Sequence, residues 1–306
     1  MGGEQSVIRN LDKRTARREY AGHFKGHITK WKGLQGEALF EDVHSDERAD
    51  GRGKEGRFMR VCVRKRPFFP HEKQQGEYDV VSCAARDCID GVTASSVVVH
   101  DARMHANMTK MFMTHHAFSF DGVFGGAATN DQVYAGTARD LVLAAASASS
   151  CTATILMYGQ TGSGKTFTMS AIYARACEEL FEALAAGPDA RQPHVSVSFV
   201  ELAEDTEGAR KAHVSVSFVE LAGDTCLDML NGGQGAQLLI GRDGATYPYP
   251  VAEVDVQDAV ELLSVITFAC SLRATEATGV HAQSSRSHAV CRIYVTRDGG
   301  GSPLKG

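Results

Sequence analysis

The sequence predicts an α/β fold of three layers, a central mixed sheet flanked by helices, and three observations predict it. The run Gly159-Gln160-Thr161-Gly162-Ser163-Gly164-Lys165-Thr166 fits G-x-x-x-x-G-K-[ST], the pattern of a phosphate-binding loop between a strand and a helix. Short alternating apolar segments interleave with segments of helical period along the chain, as in a layered fold built on one sheet. The 306 residues are 43% hydrophobic, enough for a large packed core.

The loop dictates its own chemistry. Glycines let the backbone curl so that successive N–H groups point at an anion. Lys165 adds a point charge suited to phosphate, and the Thr166 hydroxyl is a hard oxygen ligand suited to Mg²⁺. The preceding Ala153–Tyr158 (ATILMY) is apolar and reads as a buried strand. A helix starting at the loop would point its positive end at the phosphates.

Before the loop, residues 1–57 read as a separate, partly disordered head. Arg9, Lys13, Arg14, Arg17 and Arg18 recur at helical spacing, Trp31 is the only tryptophan, and Gly-rich charged text follows up to Gly56. The folded part is expected over 58–297. Val61 and Val63 alternate with polar neighbours as in a half-buried strand, which Pro67 ends. Val97-Val98-Val99 is a second strand. Phe118, Phe120 and Phe124 around Asp121-Gly122 suggest a strand entering a turn. Gln132–Ala146 is a helix candidate, and the adjacent pair His115-His116 reads as surface or strand edge.

After the loop, Ile172, Ala176, Leu180 and Leu184 mark an amphipathic helix over Ile172–Ala186, stopped by Gly187-Pro188. An internal repeat follows. The ten residues His194–Ala203 recur letter for letter as His213–Ala222, an offset of 19 (213 − 194), and each copy alternates like a strand. One central slot is expected, filled by the second copy, because Cys226–Asn231 continues it. Asp255 is the expected cap of a helix over Val256–Leu272. Ala289–Val295 is a last alternating strand, and 298–306 reads as a disordered tail.

Composition narrows the function classes. No apolar run reaches the ~20 residues a membrane span needs. The eight cysteines and twelve histidines show neither zinc spacing nor H-E-x-x-H, so reduced, buried thiols are expected. The net charge of −5 is unevenly spread: residues 1–66 hold 16 of 32 Lys+Arg and 10 of 37 Asp+Glu (+6), leaving −11 for the remainder. A basic head on an acidic body points to an anionic partner.

Four motifs in order then carry a resemblance. Val63-Arg64-Lys65-Arg66-Pro67, Phe118-x-Phe120-Asp121-x-Val123-Phe124, Tyr158–Thr166 and Ser284-Ser285-Arg286-Ser287-His288 together resemble a kinesin motor domain, over about Arg57–Val295. The wording of Val61–Pro67, the long loop between the strands of Val97–Asp121 and the basic head resemble its internal-motor, microtubule-depolymerising branch, kinesin-13. The resemblance implies a P-loop NTPase that binds ATP and Mg²⁺ and acts on microtubules in the cytoplasm, with tubulin rather than nucleic acid or membrane as partner; it leaves the oligomeric state open. It implies that Arg64 and Pro67 flank the adenine with Tyr158 near the loop entrance. Gly159, Gln160, Thr161, Gly162, Ser163, Gly164, Lys165 and Thr166 would hold the phosphates. Ser284, Ser285 and Arg286 would form switch I, with Thr166 and Ser285 on the metal and Lys165 beside the reacting phosphate.

Departures qualify that reading. His281 stands where the family has asparagine, and His105-Ala106-Asn107 stands where the branch has Lys-Val-Asp. The strand after switch I on which the family carries the Asp-x-x-Gly of switch II is not expected within the 306 residues; Leu221-Ala222-Gly223-Asp224 precedes switch I and belongs to another strand. Two readings compete on that point: a microtubule-acting ATPase, and a module that binds nucleotide and tubulin without turnover. A different P-loop nucleotidase is a third.

Overall fold

The computed structural model describes residues 13–36, 40, 59–84, 95–104, 111–147, 151–186, 212–241, 244, 246–278 and 287–297. The chain divides into two compact units, Met1–Thr137 and Ala138–Gly306.

In the first unit, helices α1 (Lys13–Glu19) and α2 (Ala21–Gln35) precede strand β1 (Cys62–Arg64), helix α3 (Pro70–Gln74) and strand β2 (Val81–Ala84). Then come β3 (Ser95–Met104), β4 (Met111–Phe120), β5 (Gly122–Phe124) and helix α4 (Asn130–Ala135). β3 and β4 form an antiparallel ladder from Ser95↔Phe120 to Met104↔Met111, β2 joins the other edge of β3, and β1 runs parallel to β5. Val97 and Val98 are both buried because β3 is covered on both faces. Val97 packs with Cys83, Val123, Val63 and Phe120, and Val98 packs with Ala84, Trp31 and Phe40. The basic head is therefore partly a structural part of this unit. Ala21, Phe24 and Ile28 bury one stripe of α2, and Phe24 stacks on Tyr78. Arg17 donates to the Ala102 carbonyl at 3.0 Å, and Arg18 pairs with Glu77 at 2.5 Å.

The expected helix Gln132–Ala146 is two helices, α4 and α5 (Arg139–Ser147). Thr129 caps α4, exchanging hydrogen bonds with Gln132. Gly136 separates the two helices. A Cβ there would lie 2.7 Å from the Phe124 ring, so only glycine fits beside that side chain.

The second unit holds α5, α6 (Lys165–Ala186), β6 (Ala212–Ala222), β7 (Thr225–Asp228), β8 (Gln234–Ile240), β9 (Thr246–Tyr249), β10 (Val254–Val256), α7 (Ala259–Thr278) and β11 (Ser287–Arg297). β6 is central to an antiparallel sheet. β11 pairs along its whole length on one side, and β10 and β7 share the other. Val214, Val216 and Phe218 of β6 join Cys177 and Leu180 of α6 and Leu262, Ile266 and Ala269 of α7 in one core. Mixed sheets with flanking helices are thus the architecture expected, with three differences in detail.

The first concerns Ala153–Tyr158, expected as a buried strand. No strand forms there, and Leu156 is 84% and Tyr158 94% exposed. Among the described residues no strand pairs with this segment, and an apolar run without a neighbour has no ladder to join. The second concerns the cap of α7. Asp258, not Asp255, accepts from Glu261 N at 2.8 Å, while Asp255 pairs with Ser215 in the β10–β6 ladder. The third concerns His115, which is half-buried on β4 against His100 and Trp31, whereas His116 is exposed as expected.

The second repeat copy occupies the sheet as β6. A turn explains the choice. Gly223, directly after it, sits at φ +59°, a left-handed conformation that glycine tolerates, and Thr225 donates to the Ala222 carbonyl at 2.7 Å. After the first copy the equivalent position is Glu204. The first copy lies outside the described residues.

Candidate functional site

The loop 159–166 leads directly into α6, a helix of 22 residues. Its shape follows from its glycines: Gly159, Gly162 and Gly164 have φ of 155°, 80° and 94°. Gly159 is also a close approach, since a Cβ would meet Ser163 Oγ at 2.7 Å. Lys165 Nζ folds back over the loop, donating to the carbonyls of Gly159 at 2.7 Å and Gln160 at 3.0 Å. The loop closes on itself through Ser163 N to Gln160 O at 3.1 Å. Thr166, Ser163, Thr161 and Gln160 are exposed, so their polar atoms are accessible to a ligand.

These residues fit a nucleoside triphosphate with its metal. The ammonium of Lys165 is satisfied only by loop carbonyls in the bonds it makes here, and a phosphate oxygen is a stronger acceptor for it. The start of a long helix contributes unsatisfied N–H groups at the same place.

In the first unit, β1 carries Arg64, whose guanidinium donates to the Ala128 carbonyl at 3.1 Å and whose pKa burial lowers from its ordinary value. Lys65 points elsewhere, pairing with Asp79 and donating to Val81 O at 2.6 Å. Arg66 pairs with Glu72 and lies over the Phe69 ring at 4.8 Å. Pro67 is exposed, with its Cα 3.5 Å from where a Cβ on Gly126 would be. Val61 is anchored by Asp121, which accepts from its N–H at 2.8 Å, so the two halves of the first-unit motif set meet at the β1–β5 pair.

Ser284, Ser285, Arg286 and His281 lie outside the described residues, as do His105-Ala106-Asn107. Ser287, the first residue of β11, donates to Glu220 Oε1 at 2.5 Å. Leu221–Asp224 forms the end of β6 and its turn to β7.

A polar cluster in the first unit was not foreseen. His100, 1% exposed, bonds Ser82 Oγ through Nε2 at 2.8 Å and His115 Nδ1 through Nδ1 at 2.7 Å. Trp31 stacks on His115 at 4.7 Å and meets His100 edge-on at 5.1 Å. Burial first, then the His115 neighbour, pushes His100 down to about 4. The signal was the hairpin register, which sets His100 opposite His115.

The phosphate loop at a helix start, within an α/β architecture, defines the class as nucleotide-binding. A kinesin motor-domain model matches residues 64–302. The chain is 33% identical over 242 residues to the diatom spindle kinesin-1 of Cylindrotheca fusiformis, covering 79% of this chain and 34% of that one. It is 33% identical over 246 residues to the kinesin-like protein KIF24 of Mus musculus, covering 78% and 16%. The solved structure of a fast kinesin aligns with a TM-score of 0.60 at 21% identity, covering 78% of this chain and 60% of the other, which shows the shared fold. The chain belongs to the kinesin motor-domain family. It spans about a third and a sixth of the length of those two relatives.

Proposed function

We propose that residues 1–306 bind ATP with Mg²⁺ at Gly159–Thr166 and act on microtubules, as part of a motor of the depolymerising, internal-motor kind. The observation that carries the nucleotide reading is the loop itself: three glycines at positive φ, a lysine ammonium over the loop, and a long helix starting at that lysine. The backbone N–H groups of 162–166 would hold phosphate oxygens, Lys165 would neutralise their charge, and the Thr166 hydroxyl with that of Ser285 would ligate the metal. The metal would supply charge neutralisation at the phosphates. Arg64, Pro67 and Tyr158 would flank the base, and Ser284 and Arg286 would belong to the loop that senses the γ-phosphate.

Support for the depolymerising branch is the long ladder of β3 (Ser95–Met104) with β4 (Met111–Phe120), and the basic helices that precede β1. Tubulin's acidic surface would meet α2. Arg17 and Arg18 are engaged within the unit, whereas Lys25 and Lys30 are exposed. Deleting 1–57 would also remove Phe24, Ile28 and Trp31 from the core, so charge reversal is the cleaner test. Lys25→Glu with Lys30→Glu should weaken microtubule co-sedimentation, and parent binding should fall steeply with salt. Salt-insensitive binding, unchanged by the double substitution, would refute the α2 contact.

A second reading, nucleotide binding without appreciable turnover by this segment, is favoured by the exposure of Leu156 and Tyr158 ahead of the loop. A loop whose supporting strand is not packed positions groups poorly for the transition state. Single-turnover hydrolysis, with and without microtubules and with Lys165→Ala as blank, should be very slow. A microtubule-stimulated rate in the ordinary enzyme range of ~1–10³ per second would contradict it.

A further inference from the structure

We infer that the cavity between α2, β2 and the turn 125–128 binds a small organic phosphate monoester, held by Lys32 and Lys65. The cavity has a volume of about 370 Å³, within the ~300–1,000 Å³ of small-molecule sites, and its described walls all belong to the first unit.

Two cations line it. Lys32, in the last turn of α2, carries its ammonium 5.5 Å from the centre of the Phe40 ring, a contact that leaves its N–H groups able to donate to an oxygen. Lys65, directly after β1, pairs with Asp79 and donates to the Val81 carbonyl at 2.6 Å. Those bonds use two of the three hydrogens of an ammonium, and the third can serve a ligand.

Neutral donors stand beside the cations. Ser82 is 3% exposed, and its Oγ meets His100 Nε2 at 2.8 Å. When that nitrogen carries the hydrogen, the Ser82 hydroxyl is left to donate to a ligand in the cavity. Gln132 accepts from Thr129 N through Oε1 at 2.8 Å and so presents its amide hydrogens as donors. The turn 125–128, closed by Ala128 N to Gly125 O at 3.1 Å, brings only glycine and alanine to its part of the wall, which leaves room for a ligand.

Cations and hydrogen-bond donors together suit an anion, and the kind of cation selects which. Planar, bidentate recognition of a carboxylate is the work of arginine, whereas lysine meets phosphate as a point charge. Phe40 adds an apolar wall for an organic body. Its ring lies 5.7 Å from that of Trp31, the only tryptophan, so a ligand against Phe40 has a reporter beside it. The described lining holds none of Arg64, Pro67 and Tyr158, the residues assigned to the base of ATP.

The test is a titration of the 306-residue protein with phenyl phosphate at fixed pH, followed by Trp31 emission. A saturable change is expected, with weaker binding of inorganic phosphate and of benzoate. Lys32→Gln should weaken phenyl phosphate about tenfold with unchanged far-UV circular dichroism. Lys165→Ala should bind it as the parent does, and a saturating ATP analogue with Mg²⁺ should not displace it, so the result is read apart from the phosphate loop. Phe40→Leu should weaken phenyl phosphate and leave inorganic phosphate unchanged; this variant decides the matter if Lys32→Gln fails to fold. No saturable change, equal affinity of the parent and a folded Lys32→Gln, or phenyl phosphate affinity unchanged by Phe40→Leu would overturn the proposal. So would benzoate binding as tightly as phenyl phosphate, loss of binding in Lys165→Ala, or displacement by the ATP analogue.

Discussion

Acidification should loosen the first unit through His100, and Trp31 should report it. His100 is neutral in the fold, with its pKa pushed from the ordinary 6.5 down to about 4 by burial and by His115. The other groups facing the pair act in the same direction or weakly: Lys32, Lys65, His27 and His116 disfavour protonation, and only Asp79 favours it. Below pH 6.5 the unfolded chain takes up a proton that the folded chain refuses, so this stabilisation is complete above 6.5 and is lost as pH falls towards 4. A shift of that size corresponds to about 3 kcal/mol once the loss is complete. The geometry gives the reason. His100 is buried away from the water that would solvate an imidazolium, and the ring of His115, Nδ1 to Nδ1 at 2.7 Å, sets a second titratable group against it. Trp31 is the only tryptophan and stacks on His115, so its emission follows this cluster alone. Urea midpoints read by Trp31 fluorescence should fall between pH 7 and 5 in the parent, and the slope should flatten in His100→Gln. A parent midpoint that does not move over this range, or a slope unchanged by His100→Gln, would refute the reasoning.

Two further outcomes follow from the second unit. Gly223→Glu places a side chain at φ +59° and should lower stability by about 1–2 kcal/mol in denaturant titration; an unchanged midpoint would mean that this turn does not select the second repeat copy. Burial pushes the Cys177 and Cys291 thiols up to about 12, so a thiol reagent at neutral pH should modify exposed Cys151 first and leave those two intact until unfolding. Modification of Cys177 at the rate of Cys151 would contradict the packing of α6.

What was legible in the sequence was local. The phosphate loop and its helix follow from glycine spacing and a four-residue apolar period, and α6 begins at Lys165. The place of the second repeat copy followed from the continuity of Cys226–Asn231, which forms β7 and the turn after it. What was not legible depends on partners distant in sequence. Ala153–Tyr158 has the composition of a buried strand, but composition cannot supply a neighbouring ladder. The break at Gly136 depends on the Phe124 ring, and Trp31, the only tryptophan, packs against Ala84 and Val98 through contacts that only folding brings together. For the candidate site, the loop geometry agrees with its motif, and the placing of Arg64 on β1 follows from the alternation around Val63.

The central claim is that Gly159–Thr166 holds the phosphates of ATP, and calorimetric titration with a non-hydrolysable ATP analogue in Mg²⁺ tests it most directly. The parent should bind with one site. Lys165→Ala removes an ammonium that donates to the loop carbonyls of Gly159 and Gln160, so the change should act on the ligand more than on the fold. Losing a charged contact of about 1.5–3 kcal/mol should weaken binding roughly 10- to 150-fold. Equal affinity of the parent and Lys165→Ala, with both folded, would contradict the account.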